Sequence, residues 1–196
     1  MTVPQGALAT ESDLVVRAQD GDSGAWDELV QRHRKPAYLL ALQLTGNPDD
    51  ALDLSQDAML SLITHIGSLD SSRPVRPWLF TVVRNRTRDL WRRRKVRRAE
   101  PLAVEVGPAL GHQIVDQTAD PERDAVEDDR RRRVWRALVD LAEAHREILV
   151  LRDFHDLSYA EIAQILGIPL GTVMSRLHTA RKKLRAIYLE ETRNRP

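Results

Sequence analysis

Two stretches of this chain carry side chains suited to binding a polyanion. In the first, Arg84, Asn85, Arg88, Arg92 and Arg93 follow one another within a segment, residues 84–98, that holds nine Arg or Lys and one acid, Asp89. In the second, Thr172, Ser175, Arg176, Thr179, Arg181, Lys182 and Lys183 lie within residues 172–185, which hold five bases and no acid. Guanidinium and ammonium groups neutralise phosphates, while hydroxyls and an Asn amide make directed hydrogen bonds to base edges or backbone. A like-charge run is often a solvated face. Here two such runs fall on separate predicted helices, divided by residues 99–129 with nine acids and one base, Arg123. That segregation favours two contacts with a nucleic acid.

Other chemistries find little support. The 196 residues include no cysteine, which excludes disulfides and thiolate chemistry. His112, His155 and His178 have no clustered partner, so no metal and no cofactor is expected. The carboxylates do not converge with a histidine, and no glycine-rich phosphate loop is present, which makes an enzyme the least favoured class. Lys plus Arg is 30 and Asp plus Glu is 29, a net charge of +1, so the fields are local rather than global. No apolar run approaches the ~18 residues of a membrane span. The start of the chain lacks a basic flank and an apolar stretch, so no secretory signal is read and a cytoplasmic location is expected.

The elements that must position these side chains are helices. The most specific pattern runs from Leu157 to Leu177. Ser158 with Glu161 three residues on makes a capping box, and Ile162, Ala163 and Leu166 form an apolar face. Gly167 supplies the positive φ of a tight turn. Val173 and Leu177 anchor the next helix and leave the hydroxyls and bases exposed, as a recognition helix in a major groove requires. Upstream, helical spacing predicts helices over about 11–19, 23–44, 49–65 and 77–98. Pro36 should kink the second, and Pro77 suits a first helical position. Residues 1–10 read as loose and 99–127 as a linker, although helical spacing resumes near Glu122. Further helices are expected over about 122–141, 143–154, 158–166 and 170–189. No segment alternates with period two, so no sheet is expected.

The residues then bring a family into view. Ala51-Leu-Asp-Leu-Ser-Gln-Asp-Ala-Met-Leu, the loop and helix start from Leu69 to Phe80, the basic stretch Val83-Arg-Asn-Arg through Leu90-Trp-Arg-Arg-Arg, and the helix-turn-helix resemble, in that order, the bacterial RNA polymerase sigma factors of the extracytoplasmic-function type. The resemblance covers about residues 11–98 and 128–189. It implies an all-α protein of two small helical domains joined by a flexible acidic linker: region 2 over 11–98 and region 4 over 128–191. It also implies a sigma factor that binds the polymerase core, reads the −35 and −10 promoter elements and assists melting.

By that resemblance, Leu52, Asp53, Gln56 and Asp57 face the core polymerase. Asp70, Ser71, Ser72, Arg73, Arg84, Asn85, Arg88, Arg92 and Arg93 lie along the −10 element, with the loop hydroxyls and Asp70 available to an extruded base. Thr172, Ser175, Arg176, Thr179, Arg181, Lys182 and Lys183 lie along the −35 element. Leu149, Leu151 and Phe154 either meet the polymerase flap or pack as core, with core favoured for two of them, and Trp78 reads as core. The expected partners are RNA polymerase core, promoter DNA and an anti-sigma factor. The acidic linker either threads toward the polymerase cleft or holds the two basic domains together in the free protein. Relatives often carry a base at the position of Met174 and an Arg at that of Thr179, so individual base contacts differ here. A DNA-binding regulator that recruits no polymerase would leave the polar third helix and the loop unexplained. A mimic that titrates an anti-sigma factor would not need the bases of residues 84–98.

Overall fold

The computed structural model describes residues 9–97 and 121–193. The expected loose N-terminus lies outside these residues up to position 8, as does the expected linker over 99–120. Among the described residues every regular element is helical. The first module comprises α1 (Glu11–Gln19), α2 (Ser23–Thr45), α3 (Pro48–His65), a short 3-10 turn (Ile66–Ser68) and α4 (Val75–Arg97). The second comprises α5 (Pro121–Val139), α6 (Glu143–Leu149) running into a π turn (Val150–Phe154), α7 (Tyr159–Leu166) and α8 (Leu170–Arg193). Helix α5 thus begins inside the span read as linker.

Local chemistry sets the helix ends. Thr10 and Asp13 form a capping box on α1, and the Asp22 carboxylate accepts from Gly24 and Ala25 at the start of α2. Asn47 caps α3, with Pro48 in its first turn. Ser158 and Glu161 form the expected capping box on α7, and Gly167 ends that helix at φ +65°. Helix α2 runs through Pro36 to Thr45. Helix α4 starts at Val75, before Pro77, because a distant residue caps it: the Val75 N–H donates to Glu11 Oε2 at 3.1 Å. Pro77 then sits third, still within the turn whose N–H groups have no intrahelical acceptor.

The two modules share one apolar core. Leu14, Leu29, Leu40, Leu62, Leu79 and Phe80 of the first are continuous with Leu138, Ile148, Leu149, Leu151, Ile162 and Val173 of the second. At about 1.5–3 kcal/mol per buried large aliphatic or aromatic side chain, this burial dominates the favourable side of folding. Leu149 and Leu151 are buried, whereas Phe154 is exposed, in line with core packing for two of the three. Trp78 is half-buried against the core rather than enclosed. In α7, Ile165 takes the buried position expected for Ala163, which is half-buried.

Candidate nucleic-acid interface

Helix α8 turns a polar face outward by burying one stripe. Val173, Leu177 and Ala180 are enclosed, at 0%, 2% and 0% exposure. At about 100° per residue, Ser175, Thr179 and Lys182 therefore point the opposite way, into solvent. The Ser175 and Thr179 hydroxyls donate to carbonyls of the preceding turn, Thr172 O at 3.2 Å and Ser175 O at 3.0 Å, which leaves their lone pairs outward. Thr172 and Arg176 sit half-buried on the flank nearest α6. There, burial and the positive fields of Lys183 and Arg176 hold the His145 imidazole below its ordinary range. Lys182 and Lys183 are exposed and form no ion pair among the described residues. Arg181 is engaged instead: its Nε lies 3.1 Å from Asp153 Oδ2 and its Nη2 pairs with Oδ1 of the same carboxylate, raising the guanidinium's affinity for its proton. The sequence pattern also missed an exposed apolar pair on this helix, Leu170 and Met174.

Helix α4 presents a different picture. Arg84, expected at the DNA surface, is buried at 9% exposure. Its Nε lies 3.3 Å from Glu147 Oε1 of α6, and its Nη1 donates to the Ile165 carbonyl at 3.1 Å. Arg88 stands 3.9 Å from the same Glu147, and Arg92 pairs with Asp89 at 2.9 Å. Arg86, Arg94 and Lys95 pair with Asp57, Asp50 and Glu143. Asn85 and Arg93 are exposed and carry no ion pair among the described residues. In this arrangement Arg84 cannot meet a phosphate, and the other bases of α4 are mostly neutralised by acids of the chain itself.

The loop before α4 closes on itself. The Asp70 carboxylate accepts from the Ser72 hydroxyl at 2.6 Å and the Ser72 N–H at 3.0 Å, and lies 3.3 Å from Arg73. These contacts, the Ser72 hydroxyl first, hold the exposed Asp70 carboxyl below its ordinary range. The hydrogen-bonding groups expected to serve an extruded base are therefore partly satisfied within a turn. An open groove of about 550 Å³ separates this loop from α7, lined among others by Leu69, Trp78, Glu161 and Ile165.

On α3, Ala51, Leu54, Ser55, Ala58 and Leu62 are buried. Leu52, Asp53 and Gln56 lie exposed on the other side, while Asp57 is half-buried and pairs with Arg86 at 3.1 Å. Leu60 and Ile63, exposed at 61% and 49%, extend the Leu52–Gln56 stripe and were not singled out from sequence. Their period matches the stripe of Leu52, which was the available signal.

The side chains joining the modules were also missed. Arg146 is buried and donates to the Leu44 carbonyl at the end of α2, and to Leu138, Val139 and Leu141 carbonyls at the end of α5. It therefore caps two helix C-termini at once, where a cation is favoured. His155 bonds to Gln43 of α2 at 2.8 Å, and Arg76 of α4 donates to the His155 carbonyl at 2.9 Å. The available signal was a charged pair, Arg146-Glu147, heading the apolar run Ile148 to Leu151. Charges seldom enter such a run unless they are paired.

Comparison with known proteins agrees with this arrangement. The family model for Sigma-70 region 2 matches residues 29–97, and that for Sigma-70, region 4 matches residues 131–184. The ECF RNA polymerase sigma factor SigW of Bacillus subtilis is 30% identical over 174 residues, covering 87% of this chain and 92% of that protein. The RNA polymerase sigma factor NccH of Alcaligenes xylosoxydans is 33% identical over 180 residues, covering 91% and 95%. Among solved structures, CnrH in complex with the cytosolic domain of CnrY aligns with a TM-score of 0.65 at 26% identity, covering 90% of this chain and 96% of that one.

Proposed function

The chain belongs to the extracytoplasmic-function family of RNA polymerase sigma factors, which direct polymerase to promoters, and from that premise we propose how its residues divide the task. Helix α8 enters the major groove of the −35 element. Thr172, Ser175, Arg176 and Thr179 meet base edges there, while Lys182 and Lys183 meet phosphates. The observation that carries this reading is the buried stripe Val173, Leu177 and Ala180, which turns Ser175, Thr179 and Lys182 outward, with no ion pair on that face among the described residues. Arg181 joins the phosphate contacts only on releasing Asp153.

Helix α4 and the preceding loop take the −10 element. Asn85, Arg88, Arg92 and Arg93 line the DNA, with Arg84 added once Glu147 is withdrawn. Asp70, Ser71, Ser72 and Arg73 face the melted strand. Extruding a base costs a few kcal/mol, and the loop repays it once Asp70 and Ser72 exchange their mutual hydrogen bond for bonds to the base. The stripe of Leu52, Gln56, Leu60 and Ile63, edged by Asp53 and Asp57, docks on the core polymerase.

The protein acts by binding, without a catalytic step, on chromosomal promoters in the cytoplasm. Among the described residues, no helix is long and apolar enough to cross a membrane. An anti-sigma partner is supported by the complex of CnrH with CnrY noted above. Run-off transcription with purified core polymerase and a pool of promoter fragments tests the whole reading. Transcripts that start at fixed sites only when the protein is added are the expected result. DNA binding without such transcripts contradicts it.

A further inference from the structure

One titratable ring lies at the junction of the two modules. His155, at the end of the π turn, is 6% exposed. Its Nε2 lies 2.8 Å from Gln43 Oε1 of α2, and its Nδ1 lies 3.3 Å from Arg76 Nη2 of α4. Phe80 of α4 meets the ring edge-on at 4.8 Å between centroids, and the Arg76 guanidinium lies 5.1 Å from the Phe80 ring. A guanidinium can only donate hydrogen bonds, so Nδ1 must be the acceptor. Nε2 then carries the ring's single hydrogen, and it donates that hydrogen to Gln43 Oε1. Only the neutral imidazole satisfies both partners. A second proton on Nδ1 would set N–H against N–H and place two cations side by side away from water.

The same closure removes Arg84 from the surface of α4, through Glu147 and the Ile165 carbonyl. We propose that His155 is a proton-sensitive pin. While neutral it holds the modules in a closed form that withholds Arg84 from DNA, and on protonation it leaves its site and lets them part. The link to DNA rests on the reading of α4 given above; the pin itself does not.

Among the described residues the charges around the ring are few. Helix α4 presents Arg76, and α2 presents the uncharged Gln43. Within the ring's own segment, Arg152 donates to the Leu157 carbonyl at 2.8 Å, Asp153 pairs with Arg181, and Asp156 is exposed. The Arg84–Glu147 pair belongs to the same interface, with Arg88 3.9 Å from the same carboxylate. Burial, and then the Arg76 charge, lower the His155 pKa from 6.5 to about 4. In the parted form the ring is hydrated and regains its ordinary value. The closed form therefore binds fewer protons between the two values. Its advantage is complete above the ordinary pKa and declines as pH falls below it. Between pH 7.5 and pH 5.5 the open-to-closed ratio rises about tenfold. The other histidines with charged neighbours do not report on this step. His33 pairs with Glu11 within the first module, and His145 lies near Lys183 and Arg176 within the second.

The chain has no cysteine, so a Thr64→Cys, Glu190→Cys double variant places one dye on each module at an exposed site. Energy transfer in the full chain should fall reversibly as pH drops from about 7.5 to about 5.5. His155→Gln should abolish the dependence on pH. Gln43→Glu, which offers the imidazolium a carboxylate, should move the fall to lower pH. Repeating the titration in a Glu147→Gln background, where closure is weaker, brings a tenfold change within the measurable range. Transfer that stays constant with pH in that background, or a His155→Gln variant that keeps the full response, overturns the proposal. Promoter-fragment binding in the same samples separates the two readings. A fall in transfer with no gain in DNA binding upholds the pin and contradicts the role given to α4.

Discussion

The two basic helices, α4 and α8, look alike in sequence and differ in what their charges do. On α4, Arg84, Arg86, Arg88, Arg92, Arg94 and Lys95 all lie within ion-pair distance of an acid of this chain. On α8, Arg181 pairs with Asp153, while Lys182 and Lys183 stand in solvent with no such pair among the described residues. The difference shows that a basic run is not by itself an available one. Helix α8 displays Lys182 and Lys183 to solvent from its own small module, whereas its Arg181 is free only on releasing Asp153. Helix α4 is packed against α7 and lies under Glu147, so its capacity for DNA depends on where the second module sits.

The largest expected effect comes from removing the acid that holds Arg84. Glu147→Ala leaves a buried guanidinium unpaired, a loss of about 3–5 kcal/mol where the charge stays buried. Here the modules can part and hydrate it, so denaturant unfolding of the variant should show separation of the modules before loss of helix. A single cooperative transition like that of the wild type would break the comparison. Gly46→Ala attacks the closure from the other side. Gly46 ends α2 at φ +71°, and an added Cβ would lie 3.1 Å from Val139 Cγ2 of α5. Left-handed strain plus overpacking should cost about 2–3 kcal/mol, read as a lowered melting temperature.

The next two effects sharpen the claim for α8. Arg176→Ala should cost about 1–3 kcal/mol at one promoter position, whereas Lys182→Ala should weaken all sequences alike. Binding measured against a panel of single-base variants distinguishes them, and equal effects from both would remove Arg176 as a base reader. Ser158→Ala removes a side-chain bond to the Glu161 N–H in the capping box of α7. It should lower stability by about 1 kcal/mol in a denaturant titration and leave promoter preference unchanged. Arg92→Ala, which breaks an exposed pair with Asp89, should change stability by about 0.5 kcal/mol or less.

Much of this molecule was legible residue by residue. The 3.6 spacing of Ala51, Leu54, Ala58 and Leu62 gave α3 and its buried side, and Ser158, Glu161 and Gly167 gave both ends of α7. Several features that escaped depend on partners far away in sequence. The start of α4 at Val75 depends on Glu11, 64 residues away. The burial of Arg84 depends on Glu147, 63 residues away. Charge counting placed Arg84 with its neighbours, because nothing in the 84–98 run marks one arginine as inward. His155 read as isolated for the same reason: Gln43 and Arg76, its partners, are distant in sequence. Leu60 and Ile63 were overlooked although their spacing matches Leu52, since an apolar residue on a helix is ordinarily assigned to core.

The most direct test of the contrast between α4 and α8 is the salt dependence of binding to a promoter fragment that carries both elements, compared between the wild type and Glu147→Gln at neutral pH. Each additional phosphate neutralised steepens the slope of log Kd against log salt by about 0.9. If α8 binds freely and α4 is withheld, the wild type shows the shallower slope and the variant a steeper one, by at least the contribution of Arg84. Equal slopes would contradict the account.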